Sequence, residues 1–220
     1  MALIPYPDPS TIDEANRAAI DHFASEHGRP TLLRIMLSYS SPAQQAMDAL
    51  YHPVAESGML PRPLKELLFA AASHARQCAY CMGGHSLFLV SEFGYDQSAV
   101  EAMRSGREAA GFSEADRGLV TLARKAAAEP SAVTAEDLDA ARHLGWSNAE
   151  IIEALAMACH AGWTNTFAQG LRLEDDLTAP EFAAYFLSTL PARSVSTRSG
   201  SPACIGGVAV LAFAVRRRPQ

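Results

Sequence analysis

The chain has 220 residues, 49% of them hydrophobic and 19% charged, which is ordinary globular usage and excludes the high-charge, low-hydrophobicity regime of disorder. A formal net charge of −6 supplies no global positive field for nucleic acid or an anionic membrane, so neither is expected as a partner. Four cysteines, Cys78, Cys81, Cys159 and Cys204, are too few and too unevenly placed for the disulfide framework of a small secreted domain.

The N-terminal "MALIPYPDPSTIDEANRA" has neither the basic start nor the apolar run of a secretory signal, and a cytoplasmic protein is the expectation. Helix-start patterns then recur at Thr11 to Glu14, Ser41 to Gln44, Ser113 to Asp116, Thr134 to Asp137 and Ser147 to Glu150, each shaped like a capping box. Between them apolar residues return at three and four positions, as in Leu119, Leu122 and Ala126, or Ile151, Leu155, Ala158 and Cys159. Alternating β-branched runs are missing from residues 1–190, so the fold class is all-α. Helices are expected near 12–27, 31–39, 42–56, 63–76, 79–92, 97–105, 114–128, 135–143, 148–171 and 180–188. Gly94 and Gly145 each follow a helix and suit left-handed C-terminal caps.

Past Pro191 the texture changes from helical to polar and small, then to the apolar run "CIGGVAVLAFAV" and a basic end. Residues 1–192 read as one helical domain and 193–220 as an appendage with a short apolar segment. The apolar run, 13 residues from Ala203 to Val215, falls short of the roughly 17–25 that a helix needs to cross a bilayer.

The chemistry-bearing stretch is "QCAYCMGGHS", with Cys78 and Cys81 three apart and His85 four beyond the second. One reading is inert: two small buried hydrophobes and a hydrogen-bonded core histidine. A second is metal, because His74, Cys78, Cys81 and His85 are all zinc-ligand types on one helical arc. On a continuous helix, however, His74 and His85 lie about 16 Å apart, beyond the reach of one ion. The third is redox: Cys81 and His85 are i and i+4 on one face, near enough for proton transfer. An oxidised thiol beside a second thiol condenses with it to a disulfide.

Glu66 stands in "PRPLKELLFAAASHA", beside the apolar positions Leu64, Leu67, Leu68 and Ala71. By itself it reads as a solvated first-turn residue favoured by the helix dipole. On a continuous helix it lies about 22 Å from Cys81, so any partnership demands a break near Arg76 to Cys78. Cys159 and His160 sit in an apolar helical stretch and read as core, Trp146 and Trp163 as packing residues. His22, His27, His52 and His143 are assigned no chemistry.

Taken together, Glu66, Cys78, Cys81 and His85 form the pattern E-x11-C-x2-C-x3-H, which resembles the AhpD-like alkylhydroperoxidases of the carboxymuconolactone decarboxylase superfamily. "MLPRPLKELLFAAASHARQCAYCMGGHSLFL" resembles the family's core segment and "NAEIIEALAMACHAGWTNTFAQGL" its later helix, covering residues 30–175. The resemblance implies an AhpD-like helical domain with the Cys-x-x-Cys at the start of a core helix. It implies a homo-oligomer, trimeric or hexameric, with antioxidant peroxidase (peroxiredoxin) activity on organic hydroperoxides. Cys81 would be the peroxidatic and Cys78 the resolving cysteine of a redox-active disulfide, with Glu66 and His85 as proton relay. Tyr80, His74 and Asn165 are candidates for supporting positions.

No bound cofactor is implied; the electron donor would be an external dithiol, such as a lipoyl group on a partner protein. Two positions depart from the family pattern, Tyr80 between the cysteines and Thr166 after Asn165, where relatives often carry His and Arg. Two rivals remain: a non-enzymatic helical oligomer whose dithiol senses oxidation or holds metal, and a non-redox decarboxylase-like enzyme, against which the cysteine pair argues.

Overall fold

The computed structural model describes residues 1–27 and 29–174, and among them every regular element is helical. The main helices are α1 (Glu14–His27), α2 (Leu32–Leu37), α3 (Ser41–Tyr51), α4 (Arg62–Ala75), α5 (Ala79–Phe93), α6 (Gln97–Arg104), α7 (Glu114–Ala128), α8 (Ala135–His143) and α9 (Asn148–Gly170). The helix expected at 180–188 and the appendage at 193–220 lie outside the described residues.

Most expected helices are present within two residues of their expected ends, and the departures have local causes. The run expected at 42–56 stops at Tyr51 and continues as a wider π-helical turn, His52–Glu56. Pro53 lacks the amide hydrogen that an α-helical ladder requires there. Three of the five start patterns are true capping boxes, at Ser113, Thr134 and Ser147. The other two are not. α1 begins at Glu14, past Thr11, and Asp13 accepts from the Asn16 amide at 2.9 Å. Ser41 lies inside α3, where its hydroxyl accepts from the Asn16 side chain at 2.9 Å. Gly94 (φ 72°) and Gly145 (φ 98°) take the left-handed conformation expected of them.

α4 organises the core. Its Leu67, Leu68, Phe69 and Ala70 to Ala72 are fully or almost fully buried, and it packs against α5, α6, α7 and α9. Burying each leucine side chain contributes about 1.5–3 kcal/mol. This small-residue surface lets neighbouring helices approach closely and fixes where α4 ends relative to α5. No helix among the described residues is long and apolar enough to cross a membrane.

Candidate functional site

The break that a role for Glu66 demanded is present. α4 ends at Ala75, and Gln77 adopts φ 59°, an uncommon left-handed conformation for a residue with a side chain. The Gln77 amide donates to His74 O at 3.0 Å and that of Cys78 to Ser73 O at 2.9 Å, closing the reversal. Cys78 is then the N-cap of α5, with Cys81 in its first turn.

The reversal lays α5 back along α4 and brings Glu66 to His85. Glu66 is 1% exposed, so the solvated reading of that residue is wrong. Its Oε2 lies 2.5 Å from His85 Nδ1, and its Oε1 accepts from Arg62 Nε at 2.6 Å. Burial pushes the Glu66 carboxyl up, but the charges of His85 and Arg62 and their hydrogen bonds outweigh it and hold the group below the usual carboxylate range. An ionised carboxylate on Nδ1 selects the tautomer in which Nε2 carries the lone pair. Phe69 stacks on the His85 ring at 3.6 Å between centroids and fixes its plane.

Cys78 and Cys81 are free, buried thiols. The hydrogen bond with Cys81 lowers the Cys78 thiol to about 7; burial opposes this, while the amides of Cys81 and Tyr80 and the charge of Arg76 assist. Cys81, the donor in that bond and buried as well, is pushed up, with Asn165 and Thr164 acting the other way. In the reduced pair the proton therefore resides on Cys81.

Cys81, His85, Glu66 and Tyr80 all line one cavity of about 130 Å³. Of the supporting candidates, Asn165 is fully buried, donates to Ser73 Oγ at 3.0 Å and hydrogen-bonds Cys81. The Tyr80 hydroxyl accepts from the Leu33 amide at 3.1 Å on the cavity wall. His74 is a correction: it is not on that wall, and its Nδ1 lies 2.9 Å from Arg124 Nη1. Among the described residues the four zinc-ligand types of the metal reading do not gather within reach of one ion. Thr166 is exposed, and its hydroxyl donates back to Gly162 O at 2.8 Å.

Residues without assigned chemistry also reach the cavity. Tyr51, Arg62, His27 and His160 line it, and Arg62 Nη2 donates to the Tyr51 hydroxyl at 2.8 Å. The sequence carries a signal for Arg62, which stands four residues before Glu66 on one helix face. For His160 it gave none: the side chain is 1% exposed, as a core residue should be, yet faces the cavity with Nδ1 unbonded. Burial, then the charges of His85 and Arg34, lowers its pKa to about 3, so it stays neutral. Cys159, expected in the core beside it, is exposed. Trp146 and Trp163 are packing residues, the former donating to Ala115 O at 2.9 Å and the latter against Phe167.

A helical frame with a dithiol at a helix start and a buried acid–imidazole pair defines a class of protein. Residues 41–125 match the carboxymuconolactone decarboxylase family, and the chain has the AhpD-like helical fold. A search of curated proteins finds no match. The fold is similar to the crystal structure of the alkylhydroperoxidase AhpD core of an uncharacterized peroxidase-related protein from Ralstonia eutropha JMP134. That comparison has TM-score 0.71 and 19% identity over 82% of this chain and 94% of the other. An uncharacterized peroxidase-related protein from Silicibacter sp. TM1040 gives 0.69 and 16%, over 82% and 92%. The debrominase Bmp8 in complex with 2,3,4-tribromopyrrole gives 0.69 and 16%, over 84% and 96%.

Proposed function

We propose that the protein is a thiol-dependent peroxidase that reduces organic hydroperoxides, with Cys81 as peroxidatic and Cys78 as resolving cysteine. The observation that carries this reading is the Glu66–His85 pair, held at 2.5 Å on the wall of the cavity that Cys81 also lines. His85 takes the Cys81 proton at Nε2 as the sulfur attacks the peroxide. A sulfur–oxygen bond forms, the oxygen–oxygen bond breaks, and the departing alkoxide receives that proton, leaving an alcohol and Cys81 sulfenic acid. Cys78, the more acidic thiol, attacks the Cys81 sulfur as thiolate; hydroxide leaves, is protonated to water, and a disulfide remains. An external dithiol, for which a lipoyl group on a partner protein is the proposed source, restores the pair.

The cavity supports this division of labour: Cys81 lines it and Cys78 is not on its wall. The thiol that must meet substrate lines the cavity but holds its proton, so it needs the relay. Its neighbour in the reduced pair is about half thiolate near neutral pH, the form in which a resolving thiol attacks. Assembly as a homo-oligomer belongs to the same proposal. A second reading, reductive dehalogenation, is favoured by the cavity's aromatic wall and the likeness to a debrominase. There the dithiol would replace carbon–bromine by carbon–hydrogen and release bromide.

The test is consumption of cumene hydroperoxide with a regenerated dithiol, and bromide release from 2,3,4-tribromopyrrole, in wild type, Cys81→Ser, Cys78→Ser and Glu66→Gln. Peroxide turnover is expected to vanish in the first variant. In the second it should stop after one sulfenic acid per chain, and in the third it should fall by about 10²-fold. Equal peroxide consumption in all four proteins rules the mechanism out, and bromide release without peroxide consumption selects the second reading.

A further inference from the structure

The cavity is also lined by arginines that the proton relay does not use. Arg34 is almost wholly buried on its wall, stacked over the Phe23 ring at 4.1 Å from guanidinium carbon to centroid. Its Nη1 is held by Asp48, while Nε and Nη2 have no hydrogen-bond partner. Nearby in sequence and on the same wall, Arg29 presents a buried Nη1 that also lacks a hydrogen-bond partner, and no carboxylate pairs with Arg29 among the described residues. The other cavity arginine, Arg62, has its three nitrogens on Glu66, Glu56 and the Tyr51 hydroxyl.

Buried guanidinium donors left open are costly unless a ligand completes them, and their fork geometry matches a carboxylate. The rest of the wall is apolar, with Phe23, Met47, Phe69 and Phe88. A bare inorganic anion has no use for that surface. The enclosed volume, about 130 Å³, is near that of a cavity that holds benzene.

We infer that the cavity binds a compact organic carboxylate, its apolar body on the aromatic wall and its carboxylate on Arg34 and Arg29. Resting on the peroxidase reading, this makes the substrate a carboxylate-bearing hydroperoxide of roughly that size in place of a neutral alkyl hydroperoxide. The carboxylate orients the molecule without taking part in the redox step.

Calorimetric titration of the reduced full chain with benzoate, benzamide and inorganic phosphate tests it. Benzoate is expected to bind at least about 10-fold more tightly than the neutral isostere benzamide, and also more tightly than phosphate. Arg29→Met should lose most of that preference. Arg34→Met should do the same where its circular dichroism matches wild type, and Arg29→Met decides the matter where it does not. Equal binding of benzoate and benzamide, phosphate binding as tight as benzoate, or an unchanged preference in Arg29→Met overturns the inference. Turnover of cumene hydroperoxide and of its 4-carboxylate analogue is measured in parallel on wild type. Turnover without a benzoate preference removes this inference alone, and a benzoate preference without turnover removes the peroxidase reading alone.

Discussion

At the scale of single residues, the site depends on one network setting two neighbouring thiols apart. With Cys78 lowered to about 7 in the reduced pair, a thiolate should appear with a midpoint near that value. Ultraviolet thiolate absorbance of the reduced protein from pH 5 to 9 checks this. A midpoint near the ordinary 9.0 would remove the helix N-terminus and Cys81 as causes. His160 makes a second pH prediction. Unfolded, it binds a proton near 6.5; folded, it resists until about 3, so the unfolded state holds the extra proton between those values. Its contribution to stability is therefore full above 6.5 and is lost as pH falls towards 3. Urea unfolding across that range should show a smaller loss in His160→Phe than in wild type, and identical slopes would contradict the assignment. Cys78, Cys81 and His85 were legible as a cluster because three side chains within eight positions share a helical face. His160 was not, since a buried histidine and a cavity histidine have the same apolar neighbours in sequence.

At the scale of elements, the reversal between α4 and α5 makes the site. Gln77 carries a side chain at φ 59°, where only glycine is free of steric cost. Gln77→Gly should therefore unfold within about 1 kcal/mol of wild type, the lost strain offsetting the gained chain entropy. Gln77→Ile should be less stable by about 1–2 kcal/mol and lose peroxide turnover as Glu66 and His85 shift apart. Chemical denaturation alongside the activity assay tests both. Equal stability of the two variants would mean that the backbone there is not held in this conformation. Helix starts separate along the same line. Ser113, Thr134 and Ser147 cap as their patterns predict because the bonds are local. Ser41 does not, because a side chain 25 residues away, Asn16, takes its hydroxyl.

At the scale of the whole molecule, α4 is both core and a wall of the candidate site. Leu68 is fully buried on the helix that carries Glu66. Leu68→Ala should cost about 2–5 kcal/mol by urea unfolding. A cost below 1 kcal/mol would show that α4 is not the packed centre.

What the sequence by itself determined is local: the helical period, the glycine caps, three capping boxes, and a dithiol with a histidine one turn on. Each depends on residues within a turn or two, where backbone geometry fixes the neighbours. It also posed a condition for Glu66, because straight-helix distances kept that residue away from Cys81. Only the tertiary structure met the condition, by packing α5 along α4 through a left-handed residue that no local preference names. It likewise placed His74 off the cavity wall, buried Glu66, and gathered Arg29, Arg34, Arg62 and His160 from three parts of the chain onto one wall. Long-range packing of apolar faces decides such encounters, and the spacing of residues along the chain does not encode them.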